Sequence, residues 1–348
     1  MDTFLLIKIL GFASAAFVFA VLATPTLTHF LYKYRLGKQI RSEESAPIFA
    51  GLHKKKSGTP TMGGILIWGT VLIFALMFFL LSLIFPESIF GKLNFLTREQ
   101  TYLPLGILIL AAFFGLIDDL FGVLKIGPRG GGLNMKHRIL LFTAVASVGA
   151  WWFYFKLGWD IFRIPFLGDF SIGFWYIPIF IFIIVATSFS VNETDGLDGL
   201  AGGVLTSAFA SYVFIALVQG KAELAVFNAV IVGALVAFLW FNVYPARFFM
   251  GDTGSMSLGV TLGVMAMLTN TALLLPFFGF ILMIESLSVI FQLLSKKIRG
   301  RKIWQSTPIH HHFEAIGWPE TKITMRFWII SGITSAIGLI VFVLDRVI

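Results

Sequence analysis

Apolar runs of roughly 17–25 residues recur along the whole chain, each long enough to cross a ~30 Å hydrocarbon core as a helix. About ten are readable, near 4–28, 62–85, 102–121, 138–157, 174–191, 201–219, 224–241, 256–272, 274–294 and 327–346. With 57% hydrophobic and only 13% charged residues in 348, a soluble fold would be left with apolar surface it had no means to cover. The expected fold class is therefore all-α: a polytopic integral membrane protein with about ten transmembrane helices, forming one domain over residues 1–348. The first run, Phe4 to Ala23, has no strongly basic leader and passes through Pro25 into more helix-like sequence, so it reads as a retained span rather than a cleaved signal. Cysteine is absent, which excludes disulfides and thiolate metal sites. The two halves share no broken-helix pattern of the kind transporters show.

Lys and Arg give the orientation. They total 26 against 18 acids, a net charge of +8, and most of them follow odd-numbered runs. Lys33, Arg35, Lys38, Arg41 and Lys54 to Lys56 follow the first. Lys125, Arg129, Lys136 and Arg138 follow the third, and Arg247 the seventh. Lys296, Lys297, Arg299, Arg301, Lys302, Lys322 and Arg326 follow the ninth. The positive-inside rule makes that side cytoplasmic and both termini periplasmic. Periplasmic loops carry scattered charge such as Glu87, Lys92, Arg98 and Glu99. The basic excess fits this bias and attraction to anionic headgroups, and a substrate with several phosphates would add to it. Nucleic acid is excluded as a partner, because the basic residues sit in short loops and not on a soluble domain.

The polar clusters fall on the same side. Asp118-Asp119 closes the third run, where carboxylates at the membrane boundary need water, a cation or a metal. Neighbours on a helix point about 100° apart, so one can face a site while the other orients a donor; solvated acids ending a helix are the alternative. Asn192, Asp195 and Asp198 step by three, so a continuing helix would put all three on one face. Oxygen-only ligands point to a hard cation, Mg²⁺ or Mn²⁺, although any one of these residues could simply cap a helix. Gly251-Asp252-Thr253-Gly254-Ser255 sets one carboxylate among small residues, whose glycines leave room for a phosphate and whose N–H groups could bind one. The same pattern also makes ordinary turns.

His310, His311 and His312 are three of the six histidines and lie after the ninth run. Adjacent histidines cannot all point at one ion, and imidazoles suit phosphate oxygens better. Lys54-Lys55-Lys56-Ser57-Gly58-Thr59-Pro60-Thr61-Met62-Gly63-Gly64 is not a Walker A loop, because the order is wrong. Lys54 and Lys55 read as headgroup contacts, and Lys56, nearest the Gly-Thr turn, as the lysine on the catalytic side. Pro128-Arg129-Gly130-Gly131-Gly132 reads as a flexible loop. Glu285 lies inside the ninth run and either serves function or pairs with a neighbouring helix.

With these clusters in hand, the chain resembles the phospho-N-acetylmuramoyl-pentapeptide transferase family of the polyprenyl-phosphate N-acetylhexosamine-1-phosphate transferase superfamily. The matching residues are Gly58 to Gly64, Asp118-Asp119, Asn192 to Ala201, Asn242-x-Tyr244-Pro245-Ala246 and Phe249-Met250-Gly251-Asp252-x-Gly254-Ser255. Pro308-Ile309-His310-His311-His312-Phe313-Glu314, Gly317-Trp318-Pro319-Glu320 and Arg326 to Ser331 complete the pattern, so nearly the full chain is covered. The carboxylate motifs belong to the whole superfamily; the histidine segment and Gly-Trp-Pro-Glu are specific to this branch.

The resemblance implies ten transmembrane helices, a homodimer, Mg²⁺ dependence and a cytoplasmic cleft in the bacterial inner membrane. It implies transfer of phospho-MurNAc-pentapeptide from UDP-MurNAc-pentapeptide to undecaprenyl phosphate, giving lipid I and UMP. By resemblance, Asp118, Asp119 and Asp252 are catalytic, with Asp252 the Mg²⁺ ligand. Lys56, Thr61, Lys136, Asn192, Asp195, Asp198, Asn242, Phe249, His310, His311 and His312 match nucleotide- or phosphate-side contacts. Gly122 stands where the family usually has Lys, with Lys125 about one turn later. A relative using UDP-GlcNAc would share the carboxylates but not the histidine segment. An ion-coupled transporter would place acids near mid-bilayer without one-sided clustering.

Overall fold

Lipid offers the backbone no hydrogen-bond partners, so long uninterrupted helices dominate. The computed structural model describes residues 3–37, 56, 58–98, 100–127 and 131–347. Lys38, Arg41, Lys54, Lys55, Ser57, Glu99 and Pro128-Arg129-Gly130 lie outside the described residues. The helices are α1 (Thr3–Lys33), α2 (Ile65–Ile84), α3 (Ile89–Leu93), α4 (Tyr102–Val123), α5 (Met135–Trp151), α6 (Tyr176–Thr194), α7 (Leu200–Val218) and α8 (Ala222–Asn242). They continue as α9 (Gly251–Leu268), α10 (Leu275–Phe278), α11 (Phe280–Arg299), α12 (Ile309–Ala315) and α13 (Glu320–Val347). Among the described residues, eight stretches are long and apolar enough to cross a membrane: α1, α2, α4, Met135–Lys156, Gly173–Thr194, α7, α8 and α13. Helix α10, with the turn before it, and α11 meet that test only together, as a pair bent by 91°.

The chain is thus an all-α multi-pass protein, and it differs from the sequence expectation at three places. The run expected as one straight ninth span is broken at Gly279, whose N–H closes α10 on Leu275 O at 2.7 Å while its carbonyl starts α11 through Met283 N at 2.8 Å. The expected eighth span is α9, in which every residue except Asp252 is buried. It carries Thr253, Ser255, Ser257 and Thr261 and needs no apolar surface, because it packs against α4 and α6 rather than lipid. Third, the loop before α6 folds into a β-hairpin, β1 (Ile161–Ile164) against β2 (Gly168–Ser171), with Ile161 opposite Ser171. The hairpin is tied to α13 by Arg163 Nε to Asp345 Oδ2 at 2.6 Å and by Phe166 N to Asp345 Oδ1 at 2.6 Å.

Small residues set the helix spacings that position the site. On α4, Gly115 lies against the backbone of α9, where an added Cβ would meet Asp252 O at 2.3 Å and Thr253 Cα at 2.6 Å. On α9, Gly259 and Gly263 take the same close approach to Ser188 and Thr187 of α6. Helix α8 lies between α1 and α7, with Gly233 against Ala13 O of α1. Gly115→Ala should therefore wedge α4 from α9, and overpacking of this kind costs about 1–3 kcal/mol. We expect its Tm in detergent to fall by several degrees with a loss of turnover. Gly69→Ala on α2, where a Cβ meets nothing within 4 Å, should leave both unchanged.

Candidate active site

The acids at the end of α4 face different partners, as neighbours 100° apart must. Asp118 is buried and accepts the Leu133 N–H at 2.5 Å, while its other oxygen lies 2.7 Å from Arg138 Nε. Asp119 accepts the Thr61 hydroxyl at 3.1 Å and the Thr253 N–H at 3.0 Å. Asp252, in the first turn of α9, accepts Arg138 Nη2 at 2.8 Å and Asn192 Nδ2 at 2.6 Å. The same Arg138 donates from Nη1 to Asn192 Oδ1 at 3.2 Å, and Asn192 Nδ2 also reaches Ser255 Oγ at 3.0 Å. One guanidinium thus ties α4, α6 and α9 together from its seat on α5. Three carboxylates share this one cation, so the cluster keeps a negative excess.

The Asn192-x-x-Asp-x-x-Asp series does not share one helical face. Helix α6 ends at Thr194, Asp195 caps it, and Gly199 turns the chain with φ +77 before α7 begins. That left-handed geometry suits glycine and interrupts the helix. The three side chains fan out instead: Asn192 to Asp252, Asp195 to Gly251 N at 3.2 Å, and Asp198 to Lys56 Nζ at 2.7 Å and Ala246 N at 3.0 Å. Lys56 also donates to Glu320 Oε1 at 2.5 Å, and Glu320 accepts Asp198 N at 2.6 Å. The rings of Tyr244 and Phe249 lie about 6 Å from the Lys56 ammonium, at 5.9 and 6.0 Å.

Two glycine-rich motifs serve packing rather than phosphate cradling. Gly63 N and Gly64 N donate to Phe249 O at 2.8 Å and Met250 O at 2.9 Å, and Phe249 N donates to Pro60 O at 2.8 Å. Residues 60–64 are thereby sewn along 249–250. A Cβ at Gly64 would meet Gly254 Cα at 2.3 Å, and one at Gly254 would meet the Met250 side chain at 2.4 Å. The room expected for a phosphate around Gly251 and Gly254 is filled by protein, and the N–H groups of Gly251 and Thr253 go to Asp195 and Asp119. Asn242 is likewise buried, accepting Gly199 N at 2.9 Å and donating to Phe248 O at 2.8 Å, so it joins two loops.

The histidines part company on α12. His310 pairs with Glu285 of α11, Nδ1 to Oε2 at 2.9 Å, and both are fully buried. His311 pairs with Glu314 at 2.7 Å. The Nδ1 of His312 is buried with no hydrogen-bond partner among the described residues. Phe313 stacks on Trp318 with centroids 4.8 Å apart, and Trp318 lies under Lys322 and Arg326 at 4.5 and 4.6 Å, which fixes α12 to the start of α13. Trp328 Nε1 donates to Gly199 O at 3.0 Å, which ties α13 to the Asp195–Asp198 turn.

Most candidate residues therefore gather at one end of the bundle. Lys136 lies at the same end, at the start of α5, where it is exposed. The cation brought into the acid cluster is Arg138, two residues on, and the sequence reading missed it because Lys136, His137 and Arg138 are all basic and only helix phase separates them. Glu320 was also missed as a side chain, although it lies in the Gly-Trp-Pro-Glu motif. A Cβ at Gly122 would meet open space, and Lys125 is exposed. Among the described residues, no group of three or more His, Cys, Asp or Glu is arranged to hold a metal alone. Mg²⁺ needs only one or two carboxylates when substrate phosphates supply the other ligands. The oxygen-only donors, their negative excess and the partly exposed Asp252 fit that requirement.

A membrane bundle that gathers acids, amide and guanidinium at one end has the polar groups a transferase working beside lipid would need, and the comparisons supply the class. Residues 101–270 match the family described as Glycosyl transferase family 4, and residues 56–67 match Phospho-N-acetylmuramoyl-pentapeptide-transferase signature 1. The phospho-N-acetylmuramoyl-pentapeptide-transferase of Chloroflexus aggregans is 36% identical over 340 residues, 94% of this chain and 87% of its own length. Those of Clostridium novyi and Bacillus subtilis are 38% and 36% identical, covering 93% of this chain and 93% and 94% of their own lengths. The chain belongs to the phospho-N-acetylmuramoyl-pentapeptide-transferase family, and it is a phosphoglycosyl transferase.

Arg138→Lys keeps the charge but removes the fork that reaches Asp118, Asp252 and Asn192 together. Charged hydrogen bonds contribute about 1.5–3 kcal/mol each, so we expect turnover to fall by about 10- to 100-fold. Lys136→Ala should fall less than about threefold, given the near-neutrality of most exposed substitutions. Equal losses in the two variants would show that the arginine network has no special part.

Proposed function

We propose that the protein transfers phospho-MurNAc-pentapeptide from UDP-MurNAc-pentapeptide to undecaprenyl phosphate, giving lipid I and UMP. The reaction runs at the cytoplasmic face of the bacterial inner membrane, in a homodimer dependent on Mg²⁺. The observation that carries this reading is the Asp118–Arg138–Asp252–Asn192 network, held by four helices at the same end of the bundle as Lys56 and the Asp195–Asp198 turn. The names of the relatives supply the donor's chemistry. The one-sided gathering of basic loops supports the cytoplasmic face.

Phosphoryl transfer between polyanions depends on charge neutralisation and in-line placement more than on covalent help. Asp252 would hold the Mg²⁺, which supplies charge neutralisation across the donor diphosphate. Asn192 orients Asp252 through Nδ2, and Arg138 fixes the same carboxylate from the other oxygen. Arg138 is always charged and lies where it can stabilise non-bridging oxygens as charge builds on them. Asp118 and Asp119 hold α4 in register with Arg138, Thr61 and Thr253 and orient the acceptor's phosphate. Lys56, over the Phe249 ring, is placed for the nucleotide's phosphates.

In the step itself, an oxygen of undecaprenyl phosphate forms a bond to the β-phosphorus. The bond from that phosphorus to the bridging oxygen breaks, and its electron pair leaves with UMP. A lipid phosphate is already anionic near neutral pH, so it needs no covalent enzyme intermediate.

Membranes containing the protein should release UMP from UDP-MurNAc-pentapeptide only when undecaprenyl phosphate and Mg²⁺ are both present. Product from UDP-GlcNAc alone would reject the donor assignment. Asp252→Asn should lower kcat by about 10²- to 10³-fold, the range for losing a preorganised electrostatic group; near-normal turnover would remove its metal role. With a β-phosphorus made chiral by isotopes, the configuration should invert, whereas retention would establish an aspartyl-phosphate route.

A further inference from the structure

Glu285 is fully buried on α11, and the transfer chemistry above leaves it without a task. A carboxylate at that depth is expensive unless something specific holds it. Its Oε2 meets His310 twice, at Nδ1 (2.9 Å) and at the backbone N (3.4 Å). The other ring nitrogen, His310 Nε2, is buried and has no hydrogen-bond partner among the described residues. It points at Gly196, where any Cβ would meet Nε2 at 2.3 Å. Gly196 sits in the turn between Asp195 and Asp198, so the tip of the His310 ring packs against that turn in the space a side chain would otherwise fill. A ring held at Nδ1 by a carboxylate is fixed in orientation and tautomer.

We propose that Glu285 is a positioning residue: it fixes the His310 ring against the Asp195–Asp198 turn as an imidazolium, whose charge favours an anionic group of the donor substrate at that turn. The anion's identity rests on the transferase reading; the protonation state of His310 does not. The groups facing His310 are Glu285 from α11, Glu193 from α6, and Glu314 and His311 from α12 itself, with the His310 and His311 rings 4.0 Å apart. Burial alone would lower the affinity of His310 for its second proton. The Glu285 carboxylate reverses this, with help from Glu314 and Glu193, and lifts the His310 pKa above its ordinary value. The positive charge on His310 is therefore present below that raised midpoint and is lost as pH rises through it.

The test uses full-length protein labelled with ¹⁵N-histidine in nanodiscs, with His310→Asn to assign the resonance. Both ring nitrogens of His310 should remain protonated above the ordinary histidine midpoint of about 6.5. Glu285→Gln should move the midpoint down by about one unit or more, and Glu285→Asp should restore part of it. In turnover, the alkaline limb of the kcat profile should move down by the same amount in Glu285→Gln, a change that a packing defect would not produce. A wild-type midpoint at or below about 6.5 would overturn the inference, even if Glu285→Gln failed to fold. An unchanged midpoint in folded Glu285→Gln would also overturn it. A protein that makes no UMP but shows the raised midpoint would reject the transferase reading and leave the Glu285–His310 assignment standing.

Discussion

Three carboxylates held next to lipid with a single guanidinium among them is the constraint from which the rest of the structure follows. An unpaired buried charge is strongly destabilising, so Arg138 must reach Asp118 and Asp252 at once, at 2.7 and 2.8 Å. That requirement fixes the rotation of α4, α5 and α9 together. Asn192 then locks α6 to the same point by bonding both Arg138 and Asp252. The close approaches at Gly115, Gly259 and Gly263 bring the backbones near enough for such short side chains to meet. Polar residues on α9 are tolerated because this helix sees protein and not hydrocarbon.

The spans were legible because a ~30 Å core demands long apolar runs, and that signal survives without any alignment. It failed where lipid contact is absent or the helix is interrupted. Helix α9 needs no lipid-facing surface, so its composition is weak evidence of a span. Gly279 breaks the ninth run at a bend that hydropathy cannot register. The hairpin of β1 and β2 is too short, at four residues per strand, to show an alternating pattern against such an apolar background. The convergence of Asp118, Asp119, Asn192, Asp195, Asp198 and Asp252 at one end was legible from side assignment alone. Which cation they meet was not, because helix phase decides between Lys136 and Arg138 and the start of α5 could not be placed to the residue.

The motifs that carry the family resemblance do two kinds of work. Some residues put a polar group at the site: Asp118, Asp252, Asn192 and Lys56. Others hold the loops that carry those groups. Asn242 bridges Gly199 and Phe248, Trp328 anchors Gly199, Trp318 clamps α12 to α13, and Gly63 with Gly64 stitches the segment before α2 to the segment before α9. A recurrent glycine pattern near a lysine looks like a phosphate loop in sequence, yet here its N–H groups are already used by neighbouring backbone. Sequence spacing reports that residues act together; only geometry separates contact from support.

Arg138 and Lys56 are already paired at the site: Arg138 with Asp118 and Asp252, Lys56 with Asp198 and Glu320. An arriving phosphate must therefore compete with carboxylates for each of them. That competition is unfavourable for a bare polyanion, because its own charge adds to the negative excess of the acids. On the proposed reading, a divalent cation entering with the diphosphate would change the balance, because Asp252 would serve as its ligand and part of the guanidinium would be freed for phosphate oxygens. The internal pairing then works as a holding state: it keeps Arg138 and Lys56 oriented on rigid helices, so little reorganisation is needed when the substrate arrives. On the proposed function, metal dependence would follow from this arithmetic of charge, and acids that look redundant as separate site residues would let the site discriminate a metal-bound diphosphate from a free one.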